Sequence, residues 1–139
     1  MKFRIILMFA VLAISFSLLS CITLRQINVE VSGDQFNQNP HAVSEFQATV
    51  NEMIIVKLCS NPTTGFQWKY EIIGQNVLRE TDHKFVPAEG EGVVGAASKE
   101  VWTFQAVEKG TAEVRMEYSR PWEGGEQKEW TYTFTVTVE

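Results

Sequence analysis

From residue 27 onward, apolar side chains recur at alternate positions rather than at helical spacing. Ile27, Val29 and Val31 form one such run, Ile54, Val56 and Leu58 a second, and Phe66, Trp68, Tyr70 and Ile72 a third with a strongly aromatic face. Later runs are Trp102, Phe104 and Ala106; Ala112, Val114, Met116 and Tyr118; and Trp130, Tyr132, Phe134, Val136 and Val138. A period of two sets each group on one face of a strand and hence against a core. No stretch keeps apolar residues at i, i+3, i+4 and i+7 over three turns. After Gly74 the alternation weakens, and Leu78 with Phe85 and Val86 reads as an edge strand before Pro87 and a glycine-rich stretch. Six or seven short strands parted by polar turns predict an all-β domain over residues 27–139, an immunoglobulin-like antiparallel β-sandwich of about seven strands. A closed barrel is the alternative architecture.

The first residues follow another rule. Lys2 and Arg4 precede an apolar run from Ile5 to Leu19 that ends in Leu18-Leu19-Ser20-Cys21. The run is shorter than the roughly 20 residues of a transmembrane helix and has the layout of a secretory signal. Leu-Leu-Ser-Cys resembles the lipobox of prokaryotic lipoproteins. That resemblance implies a signal peptide over residues 1–20, lipidation of Cys21 as the new N-terminus, and a short lipidated tether over residues 21–26. Ordinary cleavage that leaves a free Cys21 thiol is the alternative. With Cys21 acylated, Cys59 is the sole remaining cysteine, so the domain is expected to stand without a disulfide. The expected location is the cell envelope, periplasmic or at the cell surface. Ile22 rather than Asp after the cysteine resembles the pattern of outer-membrane lipoproteins.

Charge narrows the partners. The chain carries 12 Lys and Arg against 17 Asp and Glu, a formal net charge of −5. Loss of Lys2 and Arg4 with the signal takes this to −7, which disfavours nucleic acid. Contact with a membrane is expected through the N-terminal lipid only. Cys59 has no local histidine partner for thiol catalysis, and neither His41 nor His83 has metal-ligand spacing, so no enzyme, metal or cofactor is expected.

Two loops stand out instead. Asn61-Pro62-Thr63-Thr64-Gly65-Phe66 is dense in turn chemistry: Asn61 can bond its own downstream backbone, Pro62 fixes φ, and Gly65 permits φ > 0. Arg120-Pro121-Trp122 is followed by Glu123-Gly124-Gly125, a hairpin tip where a large apolar residue has no core to enter. Trp68, Trp102 and Trp130 fall in strand patterns and read as core.

These two motifs, in this order, resemble the first and third signatures of the chagasin-like inhibitors of papain-family cysteine proteases. The family's second signature, Gly-x-Gly-Gly, corresponds here to Gly95-Ala96-Ala97-Ser98, a departure that adds two β-carbons. The resemblance implies a reversible inhibitor without catalytic residues, whose partner is a papain-like cysteine protease of the organism or of a host; a monomer in a one-to-one complex is the simplest expectation. It further implies that Thr63 and Thr64 block the nucleophile, Pro62 and Gly65 hold the loop's shape, Phe66 anchors its base, and Arg120, Pro121 and Trp122 flank the cleft. The competing reading is a lipid-anchored immunoglobulin-like binding or adhesion module with no protease inhibition.

Overall fold

The computed structural model describes residues 25–88 and 98–139. Cys21 and the leader segment, as well as Gly95, Ala96 and Ala97, lie outside the described residues. Eight strands and one short helix follow in chain order: β1 (Gln26–Val31), α1 (Gly33–Gln38), β2 (His41–Ala48), β3 (Met53–Ser60), β4 (Gln67–Gly74), β5 (Leu78–Val86), β6 (Ser98–Ala106), β7 (Gly110–Ser119) and β8 (Trp130–Val138). They form two four-stranded sheets with orders β1-β3-β6-β5 and β2-β8-β7-β4. The all-β sandwich expected from the alternation is the architecture observed. The pairs β3/β6, β5/β6, β4/β7 and β7/β8 are antiparallel, whereas β1/β3 and β2/β8 run parallel.

The inward sets named from the alternation meet between the sheets. Ile54, Val56, Leu58 and Phe104 from one sheet face Val114, Met116, Tyr132, Phe134 and Val136 from the other, all buried to within 1% exposure. Trp102 is buried beside them, and Trp68 meets it edge-on with ring centroids 6.5 Å apart. Burial of such side chains stabilises by roughly 1.5–3 kcal/mol each, and these apolar contacts form the core without a disulfide, since Cys59 is a free, buried thiol.

The strand β2 and the helix α1 were absent from the alternation, for local reasons. In β2 the inward positions are Ala42, Ser44, Phe46 and Ala48, while Val43 is 71% exposed on the outer face, so the apolar signal is thin inside and misplaced outside. In α1 a single apolar residue, Phe36, is fully buried. The helix is set by a capping box in which Ser32 accepts from the Gln35 backbone and the Gln35 side chain accepts from the Ser32 N–H. β5 is a full nine-residue strand with mostly exposed, charged side chains and a register shift between Glu80 and Asp82. Charge and a bulge are common protections of an edge strand. The last two residues of the expected tether are already tied to the sheet. Gln26 pairs with Met53, the Arg25 carbonyl accepts from the Met53 N–H, and the Arg25 guanidinium pairs with Glu52 at 3.5 Å.

Because β1 runs parallel to β3, the N-terminal end of the domain and the Asn61 loop lie at opposite poles of the sandwich. The pole that carries Asn61 also carries the β7–β8 connection, the entry into β6, and α1.

Candidate functional site

The loop after β3 is one turn of 3-10 helix, Pro62–Thr64, closed by Gly65 at φ 78°. Asn61 organises it: its side-chain oxygen accepts from the Thr63 N–H at 3.2 Å and the Thr63 hydroxyl at 2.6 Å. Its carbonyl accepts from the Thr64 N–H at 3.2 Å and the Thr64 hydroxyl at 2.7 Å. The Gly65 N–H donates to the Pro62 carbonyl. Four exposed residues, Asn61 to Thr64, therefore project on a stem whose polar groups bond one another.

The stem is held from inside the sandwich by a residue that alternation assigns to the core alone. Tyr118, 2% exposed, accepts from the Asn61 N–H at 2.8 Å and donates to the Asn61 carbonyl at 3.3 Å. Its ring stacks on Phe66, packs against Trp68 and stacks on Trp130, with centroids about 5 Å apart in each pair. A buried tyrosine hydroxyl needs a partner, and Tyr118 is the last inward position of β7 before the third loop, the one sequence cue to its duty. Phe66 is buried at the loop base, just before β4 begins at Gln67.

The third loop closes onto the first. Trp122 is 52% exposed, yet one edge of its ring lies directly over Gly65: a β-carbon there would overlap the indole and stand 3.0 Å from Cζ3. Arg120 lies between the loops, with its guanidinium 4.5 Å from the Phe66 ring centroid and 5.9 Å from that of Trp122, within cation–π range. Its Nε donates to the Thr64 carbonyl at 3.3 Å and Nη1 approaches Glu126 at 3.7 Å. The tip is a turn in which the Gly125 N–H donates to the Trp122 carbonyl, with Gly124 at φ 73°. The Gln127 amide then donates to the carbonyls of Arg120 and Gly125. Glu129 has its carboxyl pushed above the usual range by a hydrogen bond shared with Glu126, helped by burial and charge repulsion and opposed by Arg120.

Of the second-loop residues, Ser98 alone is described, and it is the first residue of β6 rather than part of a loop. It pairs with Ser60, and its hydroxyl donates to the Ser60 carbonyl. Ser60 is itself buried and donates to Glu100 at 2.7 Å; Glu100 in turn meets His83 at 3.0 Å. His83 lies flat on Trp102, with centroids 4.5 Å apart. Cys59, whose thiol burial pushes up, packs against Gly33. Its apolar cover and raised pKa are those of a structural cysteine, not an activated nucleophile.

Residues 47–138 match the family described as Chagasin family peptidase inhibitor I42. Amoebiasin-2 of Entamoeba histolytica is 28% identical over 94 residues, which cover 63% of this chain and 72% of that protein. Chagasin of Trypanosoma cruzi is 31% identical over 88 residues, covering 60% of this chain and 79% of its own. The crystal structure of a cysteine protease inhibitor from Entamoeba histolytica has the same fold, with a TM-score of 0.61 at 23% identity over 82% of this chain and 97% of the other.

Proposed function

The chain belongs to the chagasin family of peptidase inhibitors, and we propose that it inhibits papain-like cysteine proteases by filling the active-site cleft with the turn Asn61–Phe66 and the Trp122 tip as one rigid wedge. The observation that carries this reading is the clasp of Arg120 and Trp122 on Thr64 and Gly65. A loop fixed before docking loses little conformational entropy on binding, which separates tight inhibitors from other interfaces of equal size.

The same geometry explains how a peptide can occupy a protease cleft without being cut. Proteases take substrates in extended form, adding a strand to the enzyme. Here the Thr64 N–H, the Gly65 N–H and the Thr64 carbonyl are all engaged inside the wedge. Thr63 and Thr64 then stand before the catalytic sulfur as a plug. The inhibitor acts by occlusion and contributes no catalytic group. Trp122 serves as the aromatic anchor beside the cleft, the residue type that dominates interface energetics, while Arg120 acts mainly within the wedge.

Delivery is part of the proposal. Export, lipidation of Cys21 and attachment to the cell envelope would leave the wedge pointing away from the membrane. That orientation is supported by the opposite poles, since the eight residues of β3 alone span about 25 Å at roughly 3.3 Å per residue. Mass analysis of the mature protein from a lipoprotein-processing host should find an acylated N-terminal Cys21, and Cys21→Ala should release the protein from membranes. For inhibition itself, residues 22–139 titrated against papain hydrolysing a fluorogenic peptide should give one-to-one inhibition that Thr64→Asp abolishes. No inhibition of papain or of a cathepsin L-like enzyme at micromolar protein would refute the reading.

A further inference from the structure

We propose that α1, with the residues that flank it, is a fourth contact element on the protease, seated on the rim of the cleft beside the first and third loops. The inference rests on the inhibitor reading and extends it to a segment that precedes the matched family residues, which begin at residue 47.

Three observations place it there. The helix sits on the stems of both loops. Gly33 packs on Cys59, two residues before Asn61, and Phe36 stacks on Trp130 at 5.0 Å and 7° and tilts against Trp68 at 5.5 Å. The Pro40 carbonyl accepts from the Thr131 N–H at 2.8 Å, which fixes the exit of the helix to the exit of the third loop. Second, the segment is rigid for its length. The capping box closes its start, and the Asn39 N–H donates to the Gln35 carbonyl at its end. Its one apolar side chain is fully buried, so closing the pole uses Phe36 alone. Third, Ser32, Asp34, Gln35, Asn37, Gln38 and Asn39 are all exposed.

Size makes this surface relevant. The three loops assigned from the sequence supply about half of the roughly 20–30 residues that a standard interface engages per side. A protease body that covers both the Asn61 turn and the Trp122 tip has its rim next to α1. Carboxamides suit such a place, because they donate and accept hydrogen bonds without the desolvation cost of a charge, and interface rims are polar. The complementary enzyme surface is therefore hydrogen-bonding opposite the carboxamides and not acidic opposite Asp34. Since the cleft interior is the common feature of these enzymes and the rim is not, α1 would govern selectivity among proteases more than inhibition as such.

The test uses Asn37→Arg and Gln38→Arg in residues 22–139, measured against papain and a cathepsin L-like enzyme, with Asn76→Arg, exposed at the opposite pole, as control. We expect inhibition of at least one enzyme to weaken tenfold or more, unequally between the two, with unchanged melting temperatures and no effect of the control. Hydrogen exchange of the unaltered protein provides a second readout, with slower exchange across residues 34–39 in the complex. Full inhibition by both variants against both enzymes, with no slowing at α1, would overturn the proposal while leaving the inhibitor reading intact. Failure of the unaltered protein to inhibit either enzyme would remove both.

Discussion

The two poles of this sandwich solve the same problem, closing eight strands, in opposite ways. At the N-terminal pole the connections are closed by inward-turned polar side chains and carry no exposed aromatic among the described residues; Val50, at 36%, is the large apolar side chain they show. Glu52, 3% exposed, accepts from the Thr49 N–H at 2.8 Å and from its hydroxyl at 3.2 Å, and Asn51 takes φ 74° to let the chain turn. Gln75 accepts from the Thr111 N–H in the same manner. At the other pole the polar groups are equally well partnered, yet a tryptophan is left half in solvent above a glycine that admits no side chain. Side-chain-to-backbone hydrogen bonds close the described connections at both poles, although at the N-terminal pole Glu52 Oε1 has only the Arg25 guanidinium near it, at 3.5 Å. The exposed, immobilised aromatic is what distinguishes a binding surface from a closure.

Substitutions can break that contrast. Trp122→Ala should weaken inhibition by about thirtyfold or more, the equivalent of ~2 kcal/mol, while leaving urea unfolding nearly unchanged. Gly65→Ala should lose inhibition to a similar degree, and the loss should shrink when Trp122 is already alanine, because the overlapping ring is gone; a double-mutant cycle measures that coupling. Glu52→Ala should do the reverse. It removes a buried carboxylate that accepts two part-buried hydrogen bonds from Thr49 and should lower stability by about 1–3 kcal/mol with an unchanged inhibition constant. The partly paired Arg25 side chain is 81% exposed and adds little.

Smaller effects sharpen the comparison. Tyr118→Phe leaves the Asn61 N–H without its partner and should weaken inhibition roughly fivefold, or ~1 kcal/mol. The smallest effect concerns the carboxyl pair at the third loop. Glu129 is raised in the folded protein, so its contribution to stability is present at acid pH and is lost as pH rises through that raised value. Glu129→Gln should therefore add a little stability at pH 7, within ~0.5 kcal/mol given solvent screening, and nothing near pH 4. Thermal melts at the two pH values provide the check.

Most of the sandwich was legible because burial on one face imposes a period of two. Trp102, Phe104, Tyr132 and Phe134 announced their strands in this way. β2 escaped because alanine and serine fill three of its four inward positions and Val43 points outward. α1 escaped because one buried phenylalanine makes no periodicity. The parallel pairings of β1 and β2 follow from topology, which alternation does not encode. At the site, Asn61, Pro62 and Gly65 disclosed a turn through their own backbone chemistry. The clasp did not: the nearness of Arg120 to Thr64, and of Trp122 to Gly65, is a contact between residues more than 50 positions apart in the chain. Tyr118 was hidden by being both core and support, since its ring satisfies the strand pattern and only its hydroxyl serves the loop.

The claim most central to this account is that the wedge occludes the protease nucleophile as a pre-formed plug and is not a substrate. It is tested most directly by measuring the rate at which iodoacetamide alkylates the catalytic cysteine of papain in the presence of equimolar residues 22–139, followed by mass analysis of the inhibitor. Occlusion predicts strong protection at one-to-one stoichiometry with an intact Asn61–Phe66 segment. Alkylation at the rate of free enzyme, or cleavage within Asn61–Phe66, would contradict it.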